Sequence, residues 1–279
     1  MTSWRRNGFL ITALGFGFAF LYVPIFLLIL YSFNGGRLVT VWAGFSTKWY
    51  GELLHNEQLL GAAWISLRIA VTTASFATVL GTMAALAMVR FGRFGGRTLF
   101  SGMLSAPLVM PEVITGLASL LLFVSMERLL GWPEGRGVTT ITIAHITFCT
   151  AYVAVVMQAR LQDMDRSIEE AAMDLGARPL KVFFVITIPV IAPALVAGWL
   201  LSFTLSLDDL VIASFVSGPA SSTLPMVVFS SIRLGVSPEI NALATLLVVL
   251  ATVAIAAVGW LQVRQERLST RLAQGADAD

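Results

Sequence analysis

Charge is what this sequence has least of. Among 279 residues it carries 18 basic and 16 acidic side chains, 12% of the chain, where soluble domains carry about 25%. So few charges cannot give a chain of this length a water-facing surface, which excludes an ordinary soluble globule. Cysteine is almost missing too. Cys149 stands alone in an apolar run, so there is no disulfide framework, and the residue reads as packing. The only lysines, Lys48 and Lys181, do not follow glycine. This excludes a phosphate-binding loop of the glycine-lysine type, and with it an ATPase site by that route. The two histidines, His55 and His145, lie far apart without metal-ligand spacing, and both read as structural. A net charge of +2 is too small to point to nucleic acid.

What fills the chain instead is hydrocarbon: 57% of residues are hydrophobic and the mean hydropathy is +0.84. A spanning helix needs about 20 mostly apolar residues. Six stretches qualify, running from Phe9 to Phe33, Ala62 to Val89, Thr98 to Met126, Val138 to Met157, Val182 to Val216 and Ile240 to Val263. The expectation is an all-α membrane protein of six transmembrane helices in a single domain over residues 1–279. The first stretch follows Arg5 and Arg6, exceeds a signal-peptide core and reads as a retained span. The fifth is too long for one perpendicular span, so it should begin at the interface and turn inward near Pro189 and Pro193. Twelve arginine and lysine residues fall on the side of the termini against five opposite, which places both termini in the cytoplasm.

Between the fourth and fifth stretches, residues 160–181 are nearly as charged as a soluble surface. Ser167 and Glu170 have capping-box spacing, Gly176 suits a left-handed residue after a helix, and Pro179 follows as a stop. This predicts a helix of about two turns. Ile168, Ala171, Ala172 and Leu175 would share one apolar face, while Glu169, Met173 and Asp174 point elsewhere. So short a helix is marginal alone and needs something packed on it, either a partner or this protein's own span ends.

The order Glu170-Ala171-Ala172, three residues, Gly176, nine residues, Ile186-Thr187-Ile188-Pro189 resembles the EAA loop of permeases in binding-protein-dependent ABC importers. Ile188 stands where leucine is usual. The runs Trp49-Tyr50-Gly51, Ala106 to Gly116 and Ser206 to Phe215 are similar to polyamine importer permeases of the putrescine type. The resemblance implies that Ser167, Glu169, Glu170, Ala171, Ala172, Asp174 and Gly176 form a cytoplasmic coupling helix against an ATP-hydrolysing subunit. Implied partners are a homologous second permease, two cytoplasmic ATPase subunits and a periplasmic polyamine-binding protein, in an inner membrane whose lipid surrounds the spans. This chain would hold no cofactor and no catalytic residue, with ATP and Mg bound by the ATPase subunits.

Ionisable groups within spans cost several kcal/mol, and each is a functional-site candidate. Arg68, Glu112, Asp208 and Asp209 stand out. At about 1.5 Å per residue, the three carboxylates fall in the middle-to-outer half of the bilayer, with Arg68 at similar depth. Their excess negative charge suits a diamine, each ammonium offering three donors. Alternatively, Arg68 pairs with one aspartate and the other is hydrated. Asp208 and Asp209 would stand about 100° apart on a continuous helix, so that both cannot face one cavity squarely. Pro107 and Pro111 interrupt the third stretch, either beside a cavity or as a packing kink. By resemblance, Glu112, Asp208, Asp209, Ser206 and Trp49 belong to the substrate pathway, although aromatic belts also place Trp42, Trp49 and Tyr50 in an outer loop. The reading is a putrescine permease, half of a translocation pathway. The rival is an ion-coupled carrier whose carboxylates relay protons; such carriers often show internal repeats, and none is visible here.

Overall fold

The computed structural model describes residues 2–37, 41–234, 238–250 and 252–253, with side chains for 8–37, 41–233, 238–250 and 252–253. Among the described residues, secondary structure is helical apart from one isolated antiparallel bridge between Asn34 and Phe45. The chain divides into two units, Met1–Glu57 with Ser231–Asp279, and Gln58–Ser230.

The first unit holds α1 (Thr2–Ser32), α2 (Lys48–Leu53) and α12 (Pro238–Leu250). From Gly8 to Ser32, α1 carries no charged side chain, and its most apolar stretch is 0% buried. Beyond α1 the chain folds around Asn34, which is 1% exposed. Its amide donates to the Val41 carbonyl at 2.7 Å and accepts from the Ala43 amide at 2.8 Å. Here Trp49 is 4% exposed. Its indole N–H donates to the Asn34 carbonyl at 2.6 Å, and Lys48 Nζ lies 4.2 Å from its ring centre.

The second unit contains most of α3 (Glu57–Arg90), then α4 (Arg97–Val109), α5 (Glu112–Leu130), α6 (Val138–Asp163), α7 (Ser167–Asp174), α8 (Pro179–Val182), α9 (Ile188–Asp208), α10 (Val211–Val216) and α11 (Leu224–Leu234) as far as Ser230. Helix α6 is its spine. Ile141, Ala144, Phe148, Cys149, Val153, Met157 and Leu161 are all buried at helical spacing, and α9 packs along them. Small residues let backbones approach, as is usual where neither helix gains hydrophobic free energy from leaving lipid. A Cβ on Gly81 would stand 2.6 Å from Val153 Cβ, and one on Gly198 3.4 Å from Val153 Cγ1. At Gly116 it would meet Phe215 Cδ2 at 2.7 Å and Ile212 Cα at 3.3 Å. Gly116→Val should therefore overpack the contact of α5 with α10 by about 1–3 kcal/mol, read as a lower unfolding temperature of the detergent-purified protein. An unchanged transition would mean that this contact carries no load.

Among the described residues, five helices are long and apolar enough to cross a membrane: Gly8–Ser32, Glu57–Arg90, Glu112–Leu130, Val138–Asp163 and Pro179–Asp208. Two of the expected spans are broken. The third divides into α4 and α5, because Met110 and Pro111 are extended, with ψ of 138° and 137°. Proline lacks the amide hydrogen and forces its predecessor out of the helical region, so Pro111 makes the break, while Pro107 is absorbed within α4. The fifth begins with α8 and a π-helical turn, Phe183–Thr187, ahead of the prolines named for its turn. It ends at Asp208, since Asp209 is extended with ψ of 124° before α10 resumes. The two aspartates are thus not on one continuous helix, contrary to the expectation from spacing. The sixth stretch, Ile240 to Val263, is described only for residues 240–250 and 252–253, where α12 covers its first part, and the rest lies outside the described residues.

Candidate functional site

The helix breaks bring the carboxylates to chain positions that regular helix would not. Glu112 opens α5 directly after Pro111 and is exposed. Asp209 precedes α10, and its Oδ1 accepts the Ala213 amide at 2.8 Å, satisfying one of the free donors of that helix start. Gly116, one turn beyond Glu112, packs against Ile212, three residues beyond Asp209, so the two carboxylate-bearing helix starts are neighbours. Asp208, the last residue of α9, is exposed, whereas Asp209 is 8% exposed. Among the described residues no ion pair joins the exposed Arg68 to either aspartate.

Asp209 does have a partner that spacing could not reveal. His145 on α6 is 1% exposed. Its Nε2 lies 3.2 Å from Asp209 Oδ1 and its Nδ1 lies 2.8 Å from Ser206 Oγ. Ser206 and Asp209 are therefore brought together through His145. The sequence signal was an ionisable side chain inside an apolar span, the same rule that singled out the carboxylates. A serine, histidine and aspartate in a row invite comparison with a hydrolase. Ser206, however, lies inside α9, where neighbouring amides are spent on helical bonds and none is left to stabilise an oxyanion. Trp49 belongs to the first unit, with its ring N–H spent on Asn34.

The charged loop forms α7 over Ser167–Asp174. The expected capping box is absent. No side chain caps the helix at its flanking residue Arg166; instead Asp165 Oδ1 accepts the Ser167 amide at 2.9 Å. That bond holds the exposed Asp165 carboxyl below the usual carboxylate range. At the other end Gly176 has φ of 86°, with its amide on the Met173 carbonyl and the Ala177 amide on that of Ala172. These are the two bonds of a Schellman turn.

Of the apolar face, only Ala172 is half-buried. Ile168 and Leu175 are 48% and 91% exposed, and Ala171 is exposed with them. Among the described residues, no helix end covers the stripe. Ser167, Glu170 and Asp174 are exposed too. Glu169 instead faces inward: its Oε2 pairs with Arg90 at 3.2 Å and its Oε1 accepts the Thr187 hydroxyl at 2.6 Å. Arg166 donates to the Val89 carbonyl at 2.6 Å. Through these groups α7 is tied to the end of α3 and to the π-helical turn that leads into α9.

Residues 77–270 match the family described as the binding-protein-dependent transport system inner membrane component. The chain is 64% identical over 242 residues to the putrescine transport system permease protein PotI of Escherichia coli (strain K12), covering 87% of this chain and 86% of that one. It is 44% identical over 252 residues to the spermidine/putrescine transport system permease protein PotC of the same strain, with coverage of 90% and 91%. In fold it is similar to a bacterial ABC transporter involved in the import of the acidic polysaccharide alginate. The TM-score is 0.73 at 20% identity, over 92% of this chain and 97% of that one. The MetNI methionine ABC transporter gives 0.59 at 16% identity, over 74% and 94%. With a family match across most of its length and a relative 64% identical over 87% of it, the chain belongs to the inner membrane components of binding-protein-dependent transport systems.

Proposed function

We propose that this chain is the permease subunit of an ATP-driven polyamine importer and forms half of the pathway by which putrescine crosses the cytoplasmic membrane. The observation that carries the reading is the likeness to PotI over 87% of the chain. The site supplies matching chemistry. Glu112 and Asp208 are open acceptors near helix breaks, Asp209 is a buried one, and a diamine has two compact cations to place among them. Six spans with both termini cytoplasmic complete the architecture. A homologous second permease supplies the other half of the pathway, and a periplasmic binding protein delivers the ligand.

In this reading α7 is the coupling helix. Its exposed Ile168, Ala171 and Leu175 enter a groove on one of two ATPase subunits, which bind ATP and Mg. Closure of that subunit reaches α3 through the Glu169 pair with Arg90, and reaches α9 through Thr187. Ile168→Asp combined with Leu175→Asp tests the contact, since both side chains face outward and their loss leaves the fold intact. The ATPase subunit should co-purify with the wild type and be lost from the double variant. The whole reading is tested by ATP-dependent uptake of labelled putrescine into vesicles containing the complete importer, and absence of uptake would overturn it.

A further inference from the structure

We propose that His145 is a positioning residue for substrate passage: a neutral donor that fixes the Asp209 carboxylate without cancelling its charge. The inference rests on the reading of Asp209 as an acceptor for the substrate ammonium.

A buried imidazole is costly unless both nitrogens find partners, and here both do. An ionised carboxylate can only accept, so Nε2 carries the proton and donates to Asp209 Oδ1. Nδ1 then accepts the Ser206 hydroxyl, and one neutral tautomer satisfies the whole row. The Ala213 amide meets the same Oδ1 at 2.8 Å. Two donors from α6 and α10 therefore converge on one oxygen. Oδ2 has no hydrogen-bond partner among the described residues, and it is left for a ligand.

The choice of residue follows from the place. Asp209 sits where α9 has ended, with ψ of 124°, so no helical backbone constrains it from both sides. A carboxylate on such a joint needs an anchor to keep one rotamer. Lysine or arginine would anchor it but would pair with its charge, competing with an incoming ammonium. A neutral imidazole supplies direction alone. Ser206, one turn back on α9, fixes the imidazole in turn, so that three helices agree on where Oδ2 points.

The competing role for His145 is to stitch helices together, and a double-mutant cycle separates the two. Putrescine uptake is measured with the complete importer in proteoliposomes, for His145→Leu, His145→Gln, Asp209→Asn and the double variant His145→Leu/Asp209→Asn. Amounts of assembled complex are matched. His145→Leu should lower uptake about tenfold when Asp209 is intact, and less than about twofold in the Asp209→Asn background, where there is no carboxylate left to position. His145→Gln, which keeps an N–H, should recover most of the loss. Equal losses in both backgrounds, or normal uptake by His145→Leu beside a defective Asp209→Asn, would overturn the positioning role alone. Normal uptake by Asp209→Asn would overturn the ammonium-acceptor reading and this inference with it. Should His145→Leu not assemble, His145→Gln decides: uptake as low as that of Asp209→Asn despite full assembly counts against the proposal, and near-normal uptake supports it.

Discussion

Gly176→Pro should abolish uptake, by more than about a hundredfold, while the protein still inserts and accumulates. The magnitude follows from backbone geometry, since proline is held near φ of −65° and Gly176 stands at 86°. No relaxation of a side chain bridges that gap. Proline also removes the amide that bonds to the Met173 carbonyl. The Schellman turn is lost, and with it the angle at which α7 leaves toward α8. A milder substitution calibrates the effect. Gly176→Ala keeps the amide and meets no atom within 4 Å, so it costs only the left-handed strain, about 1–2 kcal/mol. Its uptake should be reduced rather than lost. The measurement is putrescine uptake at matched membrane levels, and normal uptake by Gly176→Pro would remove α7 from the coupling route.

Asp209→Asn should lower putrescine uptake between about ten- and a hundredfold, the range of a charge-assisted hydrogen bond worth about 1.5–3 kcal/mol. The substitution is close to isosteric. Asparagine keeps a carbonyl oxygen to accept from His145 and from the Ala213 amide, so the helix contacts persist and only the charge is withdrawn. Glu112→Gln should act in the same direction with a smaller effect, because Glu112 lacks the two donors that hold the Asp209 carboxylate in place among the described residues. Initial rates across a range of putrescine concentrations, with assembly verified, decide the matter. Unchanged kinetics in both variants would leave these carboxylates as structural groups.

How much of this was legible in the sequence depends on whether the signal lay in composition or in backbone. The apolar stretches are compositional, and among the described residues five of them return a helix long enough to span, the third only in its second half. The loop helix was legible because glycine at a left-handed position is a local requirement, met at Gly176, whereas Pro179, expected as a stop, opens α8. The break at Asp209 was not, because no proline or glycine marks it; it is fixed by α10 packing on α5. The start of α7 at Ser167 was legible, but its cap was misread for a related reason. Ser167 and Glu170 have the spacing of a reciprocal cap, but Asp165, two residues earlier, takes the amide first, and Glu169 is drawn inward by Arg90 and Thr187. His145 was legible only as an oddity, since its partners lie 61 and 64 residues away.

Val153 fills the hollow of Gly81, where a Cβ would stand 2.6 Å from Val153 Cβ and 3.0 Å from the Ala154 amide nitrogen. The obstacle is the first side-chain carbon and the main chain of α6, so trimming Val153 to alanine does not make room. A Cβ at Gly198 would meet Val153 Cγ1 at 3.4 Å, an ordinary contact. The two glycines that face one valine are therefore unequal. In a library randomised at 81, 153 and 198, functional survivors should keep glycine at 81 while admitting alanine at 198, so that inheritance guards only one of the two small positions.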